Sequence, residues 1–185
     1  MAMMLPGGPS AASQQADLAR ELADAYASQG DYVRAQALVE ESSKTSERLG
    51  EQRNVAHDLR RMGYFAQRQH RWVESDRYYQ KALEIYIDIG DQQEQAGTYH
   101  LLGIVAQRQR KLVEAERYYR QALEIYSRAQ ERNGQARSYH QLGRVSQEQR
   151  RWAQAEDYYR QALGIYEELS GSLAKSMRYG QYARY

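Results

Sequence analysis

The chain has no cysteine, a single phenylalanine and only two prolines among its 185 residues. Without cysteine it can form no disulfide and offers no thiolate nucleophile. Mean hydropathy is -0.92, and nowhere is there a run of roughly 18 apolar residues, so no membrane-spanning helix is predicted. The start of the chain lacks the basic and apolar regions of a signal peptide, so the cytoplasm is the default expectation for its location.

Signatures of catalysis are also missing. The sequence contains no H-E-x-x-H motif and no dinucleotide fingerprint, and Gly7 and Gly8 are not followed by Gly-Lys-Ser/Thr as a phosphate loop would require. An enzyme needs a nucleophile with a base, a metal cluster or a cofactor loop. We therefore predict no enzymatic activity and no cofactor.

The histidines are the remaining candidates for a metal site. His100 and His140 lie 40 residues apart, and His57 lies three positions earlier in its own segment. Packed helices stand about 8–10 Å apart, whereas nitrogen ligands must lie about 2.0–2.1 Å from zinc. Shared ligation by these histidines is not expected, so no metal site is predicted.

An internal repeat of 40 residues organises the chain. The run YFAQRQHRWVESDRYYQKALEIY begins at Tyr64, IVAQRQRKLVEAERYYRQALEIY at Ile104 and RVSQEQRRWAQAEDYYRQALGIY at Arg144, and a degraded copy begins at Asp24. A fixed period of this length is typical of stacked repeat proteins. Each repeat is therefore expected to be one structural unit in a stack.

The apolar residues within a repeat recur at helical spacing. This periodicity predicts two amphipathic helices per repeat, with a break near residues 108–111 and another near Gly90, where glycine suits a left-handed helix cap. No β-branched alternation or Asn-Gly hairpin signal is present. In the third copy the periodic positions are Ala96, Tyr99, Leu102, Gly103 and Ala106, and then Ala115, Tyr119, Ala122, Leu123 and Tyr126.

These residues resemble the tetratricopeptide repeat, whose signature has Leu-Gly in the first helix and spaced alanines with an aromatic residue in the second. The matching positions of the third copy are Leu102, Gly103, Ala106, Leu112, Ala115, Tyr119 and Ala122. The resemblance implies an all-α fold, a right-handed α-solenoid of antiparallel helix pairs. The usual repeat has about 34 residues, so a period of 40 indicates the extended variety with longer helices.

The repeat boundaries divide the chain into a tail and one domain. Residues 1–13 contain both prolines and lack periodicity, which predicts a flexible N-terminal tail. Residues 14–185 are predicted to form a single domain of four helix pairs, at about 16–50, 51–90, 91–130 and 131–170, followed by a terminal helix at 172–185. That last helix is expected to cap the stack and to cover Tyr159 and Leu163.

Small and aromatic residues recur at fixed places in the repeat. Gly63, Gly103 and Gly143 each cost roughly 1 kcal/mol inside a helix relative to alanine, so a close approach of two helices is the expected compensation. The turn glycine of the family survives only at Gly30. His70, Arg110 and Arg150 take its place in the other repeats, where a left-handed conformation is less favourable than for glycine.

In the family the first helices of the pairs line a concave surface, and the resemblance assigns ligand contacts to fixed positions on them. Arginine and histidine predominate at these positions, although the whole chain has a net charge of only +2. Arginine suits bidentate recognition of carboxylate. Protonation of the histidines on mild acidification would add further positive charge. The predicted peptide-binding residues are His57, Arg60, Tyr64, Arg68, His100, Arg108, Arg137, His140 and Arg144.

The function that these positions favour is a protein-interaction scaffold that takes an acidic peptide or partner segment into a basic groove. A second hypothesis is a structural module that forms homo-oligomers by stacking through the ends of the repeat array. RNA binding is a third hypothesis, disfavoured because the pI of about 8.7 lies below the level above 9 expected of a nucleic-acid-binding domain.

Overall fold

The structure is a computed structural model that describes residues 10–182, with side chains through residue 171. Within this range the chain forms eight helices and no strand, which confirms the predicted all-α class. The helices are α1 (Ala11–Ser28), α2 (Tyr32–Leu49), α3 (Gln52–Arg68), α4 (Trp72–Asp88), α5 (Gln92–Arg108), α6 (Leu112–Arg128), α7 (Arg132–Glu148) and α8 (Trp152–Tyr182).

The helices belong to two compact units. The first unit ends at Asp91 and contains α1 to α4, and the second begins at Gln92 and contains α5 to α8. Within each unit every helix packs against the next one along the chain. Because connections of only a few residues join the helices of a unit, consecutive helices within each unit form antiparallel hairpins.

One core cluster of the first unit lies between α1, α2 and α3, and another lies between α3 and α4. Ala35 and Val39 of α2 are fully buried against Met62 and Phe65 of α3. In the second unit the fully buried residues include Leu102, Val105, Leu142 and Val145. Small residues let the helices approach closely, and the larger apolar residues fill the space that remains.

The glycine that recurs in the first helix of three pairs, at residues 63, 103 and 143, lies against a tyrosine ring of the second helix in its pair. A Cβ atom at Gly63 would stand 2.6 Å from the ring of Tyr79, and one at Gly143 would stand 2.6 Å from the ring of Tyr159. The hydroxyl of Tyr79 donates a hydrogen bond to the side-chain oxygen of Gln67, 3.0 Å away. The close approach that the sequence predicts at these glycines is made by a tyrosine ring of one helix packing against the backbone of the other.

The turns between paired helices are alike although only the first contains glycine. Gly30 has φ of 81°, and His70, Arg110 and Arg150 have φ of 60°, 61° and 60°. The next backbone N–H in each case donates to the carbonyl five residues back, as from Arg71 to Ala66 at 2.9 Å. This hydrogen bond closes a Schellman motif, which offsets the roughly 1–2 kcal/mol that a left-handed conformation costs a residue other than glycine.

Helix α1 begins at Ala11, earlier than the predicted end of the tail at residue 13. The side-chain oxygen of Ser10 accepts a hydrogen bond from the backbone N–H of Ser13 at 3.1 Å. Serine is a favoured N-cap because its side chain satisfies a backbone donor that the first turn leaves without a partner. The remainder of the predicted tail, residues 1–9, lies outside the described residues.

Helix α8 continues to Tyr182, whereas the sequence analysis predicts a break near residue 170 and a separate helix after it. Gly50, Gly90 and Gln130 end the corresponding helices with a positive φ. Ser170 holds that position in α8 and remains helical. The predicted cap over Leu163 is not formed by a folded-back helix, and Leu163 is 57% exposed. The side chains of residues 172–185 lie outside the described part.

Candidate functional site

The first unit contains four of the predicted binding residues, all on α3. Tyr64 and Arg68 are exposed, and His57 and Arg60 are half-buried. His57 Nδ1 lies 3.1 Å from the hydroxyl of Tyr86, and Arg68 donates a hydrogen bond to the hydroxyl of Tyr32 at 3.0 Å. Two of the four side chains are therefore already engaged by tyrosines of the same unit.

Other charges of the first unit are paired with one another. Arg20 is 8% exposed and forms a bidentate ion pair with Asp58, whose side chain is fully buried, at 2.8 and 2.9 Å. Ser42 donates a further hydrogen bond to Asp58 at 3.1 Å, and Arg20 also donates to Ser46 at 2.6 Å. This arrangement ties α1, α2 and α3 together and takes Arg20 off the accessible surface.

The second unit contains the other five predicted residues, on α5 and α7. His100 and Arg108 are two turns apart on α5, and Arg137, His140 and Arg144 follow one another on α7 at spacings that place them on one helix face. Arg108, Arg137, His140 and Arg144 are exposed, and His100 is half-buried. Exposed guanidinium groups therefore lie on both helices.

Arg108 and Arg144 line one cleft between α5 and α7, with a volume of about 440 Å³. Ile104 forms an apolar part of the lining, and Arg144 donates a hydrogen bond to the side-chain oxygen of Gln141 at 3.4 Å. Among the described residues, nothing forms a hydrogen bond or an ion pair with Arg108. The cleft therefore combines positive charge with donors that an anion can use.

Arg110 and Glu148 also line this cleft. The carboxylate of Glu148 accepts hydrogen bonds from Arg110, at 3.3 Å, and from the side-chain amide of Gln107. The cleft thus contains three guanidinium groups and one carboxylate, and that carboxylate already uses part of the donor set. We name the set of Arg108, Arg110, Arg144 and Glu148 the α5–α7 cleft.

His100 lies in a different environment from the exposed histidines. Its ring packs edge-on against Tyr119 with centroids 5.4 Å apart. Burial lowers the pKa of His100 to about 4, and the positive charge of Arg137 acts in the same direction. His100 therefore stays neutral on mild acidification, so the expectation that it would add positive charge to the groove is wrong. Its Nδ1 atom is inaccessible and has no hydrogen-bond partner among the described residues.

Sequence analysis missed two features of these sites. Arg110 was considered only as a turn residue, because the contact positions implied by the family end at Arg108. Arg20 is buried through its ion pair with Asp58 of another helix, a contact that its own position in the repeat does not indicate. The only sequence signal for that pair is an isolated acidic residue, Asp58, at a position that holds Thr98 and Ser138 in the later repeats.

Within residues 10–171, no group of three or more histidine, aspartate and glutamate side chains is arranged to hold a metal ion. His57 and His100 pack instead against Tyr86 and Tyr119 of their own helix pairs. Both histidine rings are half-buried and pack against a tyrosine at the edge of the core.

Comparison with known families agrees with the helix pairs. A family model described as the tetratricopeptide repeat matches residues 14–88, 57–128 and 94–168, which together cover most of the chain. The chain belongs to the tetratricopeptide repeat family. The helix starts repeat at 40 residues from α3 to α5 and from α5 to α7, and assignment to the extended variety stays a prediction.

Solved structures of low sequence identity share the fold. BtubC (BKLC) from P. vanneervenii is 20% identical with a TM-score of 0.80, over 88% of this chain and 67% of that one. MamA is 16% identical with a TM-score of 0.68, over 84% and 81%. Aspartyl phosphate phosphatase F from Bacillus subtilis is 9% identical with a TM-score of 0.82, over 88% and 43%. A search of the curated proteins finds no match.

The family and these structures assign the chain to the all-α solenoids built from helix pairs. Tetratricopeptide repeats are protein-interaction modules, so the chain is a scaffold that binds protein partners, and the family is typically non-catalytic. None of the helices in the described range is both long and apolar enough to cross a membrane.

Proposed function

We propose that this tetratricopeptide scaffold binds an acidic segment of a partner protein, and that the α5–α7 cleft of the second unit is the principal contact. The observation that carries the proposal is the convergence of Arg108, Arg110 and Arg144 on one cleft of about 440 Å³, where Glu148 is the only carboxylate among the described lining residues. Arginine donors in a concave site focus positive potential and can grip carboxylates in pairs.

The second unit is favoured over the first because its arginines are more accessible. In the first unit Arg68 is bonded to Tyr32, and Arg61 forms an ion pair with Asp24 at 2.7 Å. In the second unit Arg108 and Arg144 are exposed and have no carboxylate partner in the described part of the chain. Arg137 and His140 precede Arg144 on the same face of α7 and extend the surface that an elongated acidic segment would follow.

In the first unit His57, Arg60, Tyr64 and Arg68 remain part of the proposed binding surface. Tyr64 is 44% exposed and packs edge-on against the buried ring of Phe65. A ring fixed from below in this way offers a flat surface to a partner at little cost in side-chain entropy. We expect these residues to contribute contacts, with charge recognition centred on the α5–α7 cleft.

The test is calorimetric titration of the full chain with a synthetic oligoglutamate peptide. Reversing two charges with Arg108→Glu/Arg144→Glu should weaken binding by at least about tenfold, since charge reversal replaces attraction by repulsion at close range. Binding to the wild-type chain should also weaken at high salt, because exposed charges are screened over about 8–10 Å at ordinary ionic strength.

The matched control is Arg117→Glu/Arg128→Glu, which changes the net charge equally at exposed arginines of α6. The control should bind the peptide nearly as well as the wild type if the cleft is the site. Equal loss in both double variants would show that only net charge matters, and equal affinity of the cleft variant and the wild type would remove the cleft from the site. Circular dichroism of each variant confirms that the helices are intact.

A further inference from the structure

Helix α8 has an apolar face that the described part of the chain leaves open. The face consists of Trp152, Ala155, Tyr159 and Leu163, and with Gln147 of α7 it borders a cleft of about 410 Å³. Trp152 is 63% exposed and Leu163 is 57% exposed. Contiguous exposed apolar residues on a folded surface commonly mark an interaction site.

The first unit shows what covers the equivalent face of another helix. Tyr32, Ala35 and Val39 of α2 pack against α3, and the rings of Tyr32 and Phe65 lie 6.0 Å apart. Trp152, Ala155 and Tyr159 stand at the same positions three repeats of 40 residues later. The α8 face therefore has the residues of a helix-packing surface, and a helix pair of the α3–α4 kind is what fits it.

The first unit also has the other half of such an interface. Leu59, Met62 and Phe65 of α3, with Tyr78 of α4, receive α2. The residues 40 positions before this set lie on α1 and α2, and we name the surface that they form the α1–α2 groove. Leu18 and Leu22 in it are 65% and 47% exposed, and a cleft of about 240 Å³ lies between α1 and α2 there. The groove residues that correspond to the α3–α4 set are Ala19, Leu22, Ala25 and Leu38.

Compared with the interface between α2 and α3, the α8 face has larger side chains and the α1–α2 groove has smaller ones. On the α8 face Trp152 replaces Tyr32 and Tyr159 replaces Val39, so this half is larger. In the α1–α2 groove Ala25 replaces Phe65 and Ala19 replaces Leu59, so this half is smaller. Packing interfaces tolerate changes that conserve total volume far better than changes that do not. The larger half therefore fits the smaller one.

In the described part of the second unit no segment covers the α8 face. Backbone after Leu163 continues in the same helix to Tyr182, and a continuous helix cannot pack against its own side. A segment with the shape of a first-unit helix pair fits this face, and the α1–α2 groove of a second copy has that shape and the complementary residue sizes.

We propose that copies of this chain associate head to tail, with the α8 face of one copy seated in the α1–α2 groove of the next. In this contact α8 of one copy packs on α1 and α2 of the next in the way that α2 packs on α3 within one copy. Such an interface is heterologous, since different surfaces of the two copies meet, and each added copy leaves one free surface of each kind. The proposal does not depend on the acidic-segment function.

The test is light scattering of the full chain over a concentration series to about 1 mM, a range that includes weak association. The average mass of the wild type should rise with concentration. Trp152→Glu on the α8 face and Leu22→Glu in the groove should each lower the association constant by at least about tenfold, because each introduces a charge at the centre of an apolar contact. Both residues are exposed, so the fold should tolerate the changes.

Mixing the two variants is the decisive arm. Trp152→Glu keeps an intact groove and Leu22→Glu keeps an intact α8 face, so an equimolar mixture should form a complex of two chains that grows no further. Val113→Glu places the same charge at a residue that is 79% exposed on α6 and outside both surfaces, and it should associate as the wild type does. A wild type that stays monomeric throughout, or a mixture that stays monomeric, would overturn the proposal.

Discussion

The ring of Tyr119 lies so close to the backbone of Gly103 that a Cβ atom on residue 103 would stand 2.5 Å from the ring. The same ring donates a hydrogen bond through its hydroxyl to the side-chain oxygen of Gln107, 3.2 Å away and one turn further along α5. Burial raises the pKa of the Tyr119 hydroxyl, which therefore remains protonated and a donor. Glycine, tyrosine and glutamine form one packing unit that recurs in the repeats.

We expect Gly103→Ala to destabilise the chain by about 1–3 kcal/mol, the usual range for overpacking, although alanine is the better helix former. Thermal unfolding followed by circular dichroism measures the change. Gly164→Ala is the matched control, because Gly164 is also helical and nothing lies within 4 Å of its Cβ position. That control should raise stability by up to about 1 kcal/mol; a Gly103→Ala variant that gained as much would contradict the packing account.

The close approach at Gly103 could be predicted from the sequence because glycine recurs at this position in three repeats, whereas its tyrosine and glutamine partners could not. The contacts that the polar residues make could not be predicted in this way. Arg20 and His100 are repeat equivalents, yet Arg20 pairs with buried Asp58 and His100 packs against Tyr119. The residues that cause this difference lie on other helices. Ser46 of α2 leaves room for the Arg20 side chain, whereas Tyr126 of α6, at the equivalent position in the second unit, fills that space.

The end of α8 was unpredictable for a related reason. The sequence places a helix boundary every 40 residues, but a boundary forms only where a residue adopts the left-handed conformation that ends the helix. Gly50, Gly90 and Gln130 do so, and Ser170 does not. The repeat pattern puts Arg108 and Arg144 on the first helices of successive pairs, and the structure brings both to the α5–α7 cleft. Arg110 also lines this cleft, but it lies in the turn, outside the contact positions that the family implies.

The buried ion pair yields a second prediction. Asp58→Ala removes the buried carboxylate that pairs with Arg20, whose residue is 8% exposed, and leaves the exposed Asp17 at 2.7 Å as the remaining carboxylate partner. Breaking a buried ion pair typically costs about 3–5 kcal/mol, and the retained contact with Asp17 places the expected loss towards the lower end of that range. Chemical denaturation of the variant measures this loss. Arg34→Ala is the control, since the Arg34–Asp31 pair is exposed and exposed pairs contribute little.

A combined Arg20→Met/Asp58→Leu variant distinguishes the contribution of the two charges to stability from the contribution of the volume that their side chains fill. Replacing both charges with apolar side chains of similar size is often neutral or stabilising. The double variant should therefore recover much of the stability that Asp58→Ala loses. A double variant as unstable as Asp58→Ala would show that Ser42, Ser46 and the ion pair form a network that apolar packing does not replace.

Glu148 provides a third prediction, which rests on the proposed acidic ligand. Its carboxylate bonds to Arg110 and Gln107 in the α5–α7 cleft and so occupies donors that a ligand would use. Glu148→Gln keeps an oxygen for Gln107 but removes the negative charge. We expect the variant to bind an oligoglutamate peptide several-fold more tightly in calorimetry, with the gain shrinking at high salt.

Glu124→Gln is the control for Glu148→Gln, because it removes an exposed carboxylate of α6 that pairs with Arg128. It changes the net charge of the chain equally. If both variants gained affinity by the same factor, the improvement would come from net charge, and Glu148 would have no special role in the cleft.

The shifted pKa of His100 predicts how stability depends on pH. The pKa is lowered from 6.5 to about 4 by burial and by Arg137, so between these values the unfolded chain binds a proton that the folded chain does not. The contribution of His100 to the free energy of unfolding therefore falls as pH drops from 6.5 towards 4, by up to about 3 kcal/mol. His100→Gln should remove this part of the pH dependence, as denaturation curves at pH 7, 5.5 and 4.5 would reveal. His140→Gln, the same change at an exposed ring of α7, is the matched control, and a His100→Gln variant with the wild-type pH profile would show that this ring is not the group responsible.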